Sequence, residues 1–118
     1  MDDVLSYFGE ILINEVRDRT IRGFDIRITG KMRDESSQKL FEQVQKMNNE
    51  ERQLIEKMIP QIVDLSIHNM LCMVEEHEDI EVQVKKQNIS DISDGLAGEL
   101  YTEDGWIQRF TKQRYEEI

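Results

Sequence analysis

Apolar residues recur at helical spacing from Leu54 to Val74, and this run constrains the fold more than any other feature of the sequence. Asn48, with Glu51 three residues later, forms a capping pattern that predicts a helix start near Asn49, although Asn replaces the usual Ser or Thr. Pro60 has no amide hydrogen to donate, so we expect a kink or a break that divides the run into two helices. The second of these, over about 61–77, is apolar on more than one face and is predicted to be the central core element.

The rest of the chain predicts both helices and strands. Periodicities near 3.6 and near 2 indicate helices and half-buried strands, respectively. The predicted elements are a helix over 2–20, a strand over 24–28 that ends at Gly30, a helix over about 34–47, a strand over 80–84, and a hairpin that pairs 100–102 with 106–110 around Asp104-Gly105. The stretch 91–98 fits a loop or one helical turn.

These elements predict an α+β fold in which several helices pack on one face of a small, mainly antiparallel sheet. A length of 118 residues fits a single domain over 1–118.

The charge balance disfavours two classes of partner. Twenty-five acidic against 15 basic side chains give a formal charge of −10, which repels nucleic acid and anionic membrane surfaces. The longest uncharged run near the middle, Leu65 to Val74, is about half the roughly 20 residues that cross a bilayer. Cys72 is the only cysteine, so no disulfide can form within the chain, which fits a reducing compartment. The N-terminus shows no basic region before an apolar run, which argues against a signal peptide. We therefore expect a cytoplasmic protein.

The segment from Asp91 to Phe110 has the composition of a presented surface. It holds three of the six glycines, the only tryptophan and five carboxylates, and no basic residue lies between Lys86 and Arg109. Turn-forming glycines and unpaired negative charge favour exposure to a partner. The candidate contact residues are Asp91, Asp94, Glu99, Glu103, Asp104 and Trp106. The alternative interpretation places the acids on a solvated hairpin face and Trp106 in the core.

Catalytic and metal sites are weakly supported by the sequence. His68 and Cys72 share a helix face and, with Glu75, Glu76 or His77, have a spacing that permits metal binding. The apolar neighbours instead predict a buried cysteine that is not a nucleophile. A calcium loop starting at Asp91 fails, because Leu96 and Thr102 occupy the positions that need Gly and Glu. We therefore predict no catalytic residue, no cofactor and no metal site, and thus not an enzyme.

Two stretches resemble a known group of proteins. The tail 93–110, and with it the run VDLSIHNMLCMVEE at 63–76, is similar to small bacterial proteins of uncharacterised function that end in the pattern SDGLxGELYTEDGWI. The resemblance implies a bacterial cytosolic protein, and it implies no catalytic or binding residue.

These observations favour a non-enzymatic protein-binding module. The first hypothesis is an inhibitor or immunity-like protein that offers its acidic 91–104 surface to a basic protein partner. The alternative is a self-associating homo-oligomer, with a homodimer as its simplest form, built on the apolar face around 62–74. A small metal-binding protein ranks below both.

Overall fold

Two long helical elements dominate the fold. The computed structural model describes residues 3–115. The first element consists of α1 (Val4–Leu12), a π-helical turn (Ile13–Arg17) and α2 (Asp18–Arg27), which follow one another without a break. Helix α3 (Glu35–Gln45) connects it to α4 (Asn49–Glu76), which has 28 residues.

Side-chain caps start the helices where the sequence predicts. The Asp34 carboxylate accepts a hydrogen bond from the Ser37 amide at 3.0 Å at the start of α3. At α4 the prediction of a capping pair is confirmed, because Asn48 and Glu51 each accept the other's backbone amide. In α1 the cap is Asp3, which accepts from the Ser6 amide at 2.6 Å, and the predicted start at Asp2 lies outside the described residues.

The predicted strand over 24–28 is wrong, because α2 continues through Gly23 to Arg27. One glycine inside a helix costs only about 1 kcal/mol, which an established helix tolerates as it propagates. Phe24 and Ile26 are exposed and belong to no strand pair. Gly30, with φ of +81°, then provides the left-handed conformation that turns the chain toward α3.

Of the kink or break predicted at Pro60, the break is wrong, because α4 is continuous from Asn49 to Glu76. Proline removes the amide that would bond the Glu56 carbonyl one turn earlier. In its place the Arg114 guanidinium donates from Nε to that carbonyl at 2.8 Å. A side chain from the C-terminal segment therefore satisfies the acceptor that the proline leaves open.

The sheet is far smaller than predicted. Strands β1 (Gln83–Val84) and β2 (Gln87–Asn88) pair antiparallel across Lys85-Lys86, whose φ values of 51° and 69° are those of a tight hairpin turn. The α+β class is confirmed in this coarse form, with helices dominant and the sheet minimal. The helices pack mainly on one another instead of lying across one face of a sheet.

The predicted hairpin over 100–110 is wrong. The chain forms α5 (Ile89–Ile92), a 3₁₀ helix (Ala97–Leu100) and α6 (Trp106–Phe110). Gly105 is the residue before α6, and a Cβ there would overlap the Tyr101 carbonyl. The glycine of the Asp-Gly pair is therefore needed for a helix start rather than for a strand turn.

The hydrophobic core lies toward one end of an elongated molecule. It forms where α1, the C-terminal half of α4 and the segment 89–107 meet, and its largest members are Leu12, Ile13, Ile67, Leu71, Ile89, Leu96, Leu100, Trp106 and Ile107. The molecule measures 49 × 29 × 25 Å, and its radius of gyration of 16.8 Å exceeds the roughly 13.5 Å of a compact chain of this length. None of the described helices is both long and apolar enough to span a membrane.

Replacing Gly9 tests the core packing. An alanine Cβ at Gly9 would lie 2.5 Å from the Trp106 ring, so Gly9→Ala should lower the free energy of unfolding by about 1–3 kcal/mol. Gly23→Ala is the matched control, because its Cβ meets nothing within 4 Å and should stabilise by about 0.4–1 kcal/mol. Urea unfolding measures both, and a Gly9→Ala variant as stable as the native protein would contradict this packing.

Candidate functional site

Most of the predicted acidic surface is exposed. Asp91, Asp94, Glu103 and Asp104 are all accessible to solvent. Glu99 is half-buried and accepts a hydrogen bond from the Ser93 hydroxyl at 2.9 Å. Four of the five carboxylates are therefore free to meet a partner, and the fifth is partly engaged in holding its own loop.

Trp106 does not belong to that surface. It is 2% exposed and packs edge-on against Phe8, with ring centroids 5.7 Å apart. Its ring also covers Gly9, where no side chain intervenes. The prediction that Trp106 contacts a partner is corrected here, because the indole is a core anchor whose surface is already used.

His68 and Cys72 lie on one side of α4, as their spacing predicts. The Cys72 Sγ is 3.5 Å from His68 Nε2, and the Tyr101 hydroxyl is 3.3 Å from His68 Nδ1. Burial raises the pKa of the Tyr101 phenol, and the Asp64 carboxylate adds to the effect, so the hydroxyl stays protonated at neutral pH. Within residues 3–115, no three His, Cys, Asp or Glu side chains are grouped to hold a metal ion.

The strongest candidate surface lies on α4, on the side away from the body of the protein. Helix α4 buries one face against the core through Ile59, Asp64, Ile67, Leu71 and Val74. The opposite side carries a stripe that we call the outer face, formed by Leu54, Met58, Ile62, Leu65, Asn69 and Met73. Each of these positions is three or four residues from the next, so they follow one side of the helix.

The outer face is strongly exposed. Leu54 and Ile62 are each 58% exposed and Leu65 is 51% exposed. A helix that is apolar on all sides is normally covered on all sides. The segment 61–77, predicted to be the central core element, is therefore buried on one face only. Its other apolar face has no cover in the described chain.

A groove extends the outer face toward α2. It has a volume of about 330 Å³ and lies between α2 and the first half of α4. Its walls are almost entirely apolar and come from Phe24, Ile55, Met58, Ile59, Ile62 and Val63, with Thr20 at one side. The groove and the outer face share Met58 and Ile62, so they form one continuous apolar surface.

The outer face also lacks exposed charge. Between Lys57 and Glu75 the one charged residue is Asp64, which is buried on the opposite face. Charged residues make up 34% of the chain, so a charge-free helix face of this length stands out. Depletion of charge and enrichment in methionine are features of the central part of protein interfaces.

A buried ionic network fixes which face of α4 points inward. Arg17, with no exposed surface, donates from Nε to Asp64 Oδ1 at 2.6 Å and from Nη2 to Oδ2 at 3.2 Å. Its Nη1 donates to Thr111 Oγ1 at 2.8 Å, and its Nη2 also donates to the Arg114 carbonyl at 3.0 Å. The guanidinium therefore joins the first helical element, α4 and the C-terminal segment.

Asp18 completes this network from the adjacent position. Its carboxylate accepts from Thr111 Oγ1 at 2.7 Å and from the Lys112 amide at 2.8 Å. The π-helical turn that ends at Arg17 adds one residue to the helix and changes its phase, which brings two consecutive charged residues into the interior. No local sequence pattern indicates this network. The structure reveals it through the burial of Arg17, Asp18 and Asp64.

Comparisons with known proteins add no relatives: no family model, no curated protein and no solved structure matches this chain significantly. The resemblance of the tail to small bacterial proteins therefore stays a prediction.

Removing the Asp64 carboxylate tests the role of the network. Asp64→Ala leaves a buried guanidinium without its main counter-charge, which should cost about 3–5 kcal/mol of unfolding free energy. Glu35→Ala removes one partner of the exposed ion pair with Lys39 and a carboxylate from the first turn of α3, and should cost less than about 1 kcal/mol. Chemical denaturation compares the two, and a loss below about 1 kcal/mol for Asp64→Ala would contradict the role of the Arg17–Asp64 pair in holding α4.

Proposed function

We propose that this chain is a non-enzymatic protein-binding protein that binds its partner through the outer face of α4. The observation that carries the proposal is the placement of apolar side chains on two opposite faces of α4, of which the body of the protein covers one. An exposed apolar stripe of this kind is kept out of water by association. The groove beside α2 adds a recess that an apolar side chain of the partner can fill.

The absence of charge on the outer face supports a partner surface that is also apolar. A basic partner would gain nothing from contact with Ile62 or Leu65, because neither offers an acceptor or a negative charge. Affinity from this face would come from burial of area, at about 25 cal/mol per Å² of apolar surface before the costs of association are subtracted.

A second candidate is the inhibitor or immunity-like role on the acidic segment. The exposure of Asp91, Asp94, Glu103 and Asp104, in a stretch without a basic residue, supports a basic protein partner there. Such a complex would associate faster at low salt, because exposed charges are screened as ionic strength rises. In either case the proposal remains that of a bacterial cytosolic binding protein without a cofactor.

Photo-crosslinking in cells distinguishes the two surfaces. A photoreactive amino acid in place of Ile62 should yield one adduct of defined mass, because Ile62 lies at the middle of the outer face. The same replacement at Ile26 is the matched control, since Ile26 is exposed on α2 but lines neither the groove nor the acidic segment. Replacement at Asp94 reports on the acidic segment.

Adduct formation at Ile62 alone is the expected result. An adduct at Asp94 with none at Ile62 would transfer the binding function to the acidic segment. Equal labelling at Ile62, Asp94 and Ile26 would indicate non-specific contact and would contradict both candidates.

A further inference from the structure

We propose that the partner of the outer face is a second copy of this chain, and that two α4 helices pair antiparallel around a two-fold axis between Ile62 and Leu65. This inference rests on the proposed function, since it names the occupant of the same surface. Three properties of the surface lead to it: its area, its charge and the spacing of its side chains.

The exposed area suits a small symmetric interface. The five apolar residues of the outer face, together with Phe24, leave roughly 500–600 Å² accessible, at the upper end of the apolar patches of monomeric proteins. A standard interface buries about 800 Å² on each partner, including a polar rim. Asn69 within the outer face and the flanking Ser66 are exposed polar residues that add to this area, and the apolar patch alone supplies about two thirds of what a standard interface buries on each partner.

The charge distribution favours a second copy over a charged partner. Each chain carries −10, so two copies repel each other over most of their surfaces. The outer face is the place where that repulsion is least, because seventeen consecutive positions from Met58 to Val74 hold no charge except the buried Asp64. Its best complement is a surface that is equally long and equally free of charge, which is what another α4 presents.

The spacing of the side chains is self-complementary in the antiparallel direction. With the axis midway between Ile62 and Leu65, each of these residues faces the other across the interface. The same register places Met58 opposite Asn69 and Leu54 opposite Met73. Every member of the outer face then meets another member, over about 28 Å at 1.5 Å per residue. An isologous contact of this kind requires a patch that matches itself.

The ends of this register carry like charges. Glu51 of one copy lies opposite Glu76 of the other, and both are exposed. Like charges at the rim weaken association modestly and are screened by salt. The dimer is therefore expected to strengthen as salt rises, which is the reverse of the behaviour of a complex between the acidic segment and a basic protein.

Sedimentation equilibrium of the purified full chain, at several concentrations and at low and high salt, tests the pairing. The native chain should change from 14.0 kDa toward twice that mass as concentration rises, and more completely at high salt. Ile62→Glu should weaken the dimer about tenfold or more, because it buries a carboxylate beside apolar side chains. Ile92→Glu, the matched exposed position on α5, should leave the dissociation constant unchanged.

A mixing experiment tests the antiparallel register. Leu54→Lys and Met73→Glu should each weaken self-association, and an equimolar mixture should recover dimers, because Lys and Glu then meet at one end of the pair. Circular dichroism confirms that every variant is folded. A mixture no more associated than the separate variants would overturn the register.

The outcomes separate this inference from the proposed function. A chain that stays at 14.0 kDa at every concentration, while Ile62 crosslinks to a different protein in cells, overturns the second copy and leaves the binding surface intact. A monomer that gives no adduct from Ile62 overturns both. A dimer unaffected by Ile62→Glu overturns the assignment of the outer face.

Discussion

The ion pair between Arg17 and Asp64 determines how the rest of the molecule is arranged. These residues are 47 positions apart and fully or almost fully buried, so each would be costly to bury without the other. The guanidinium also binds the Thr111 hydroxyl and the Arg114 carbonyl, and Arg114 in turn donates to the Glu56 carbonyl that Pro60 leaves open. One network thus joins two helices, retains the C-terminal segment and satisfies the acceptor that Pro60 leaves open within a continuous α4.

The same network explains why α4 has an uncovered apolar face. Asp64 must point toward Arg17, which fixes the rotation of α4 about its own axis. Ile67 and Leu71 then enter the core, while Ile62 and Leu65 point away from it. A rotation of α4 that buried the outer face would expose Asp64 and leave the Arg17 guanidinium without its partner. The polar requirement of the interior therefore leaves an apolar exterior, which is the surface that we propose a second chain covers.

The sequence predicted the fold best where local interactions decide the structure. The caps at Asp34 and Asn48 and the helical periods that follow them were recognisable, because each depends on residues within one or two turns. The alternation at 24–28 predicts a strand, but the preceding helix continues through Gly23. The Asp-Gly pair at 104–105 predicts a hairpin turn, but it lies at the start of a helix. Lys85-Lys86 lacks the usual turn residues, so the sequence does not predict the hairpin turn found there. The Arg17 network joins distant positions and has no local signal, and burial of Trp106 against Gly9 likewise depends on tertiary contact.

Pairing of two α4 helices can be tested by a concentration series of methionine methyl NMR spectra recorded with a soluble paramagnetic probe. Met58 and Met73 belong to the outer face, and Met32 is an exposed methionine outside α4 that serves as the internal reference. If two α4 helices pair, the Met58 and Met73 methyl groups should lose the relaxation enhancement caused by the probe as protein concentration rises. The enhancement of the Met32 methyl group should stay constant. Enhancement of Met58 and Met73 that remains as large as that of Met32 at the highest concentration would contradict the pairing of two copies through α4.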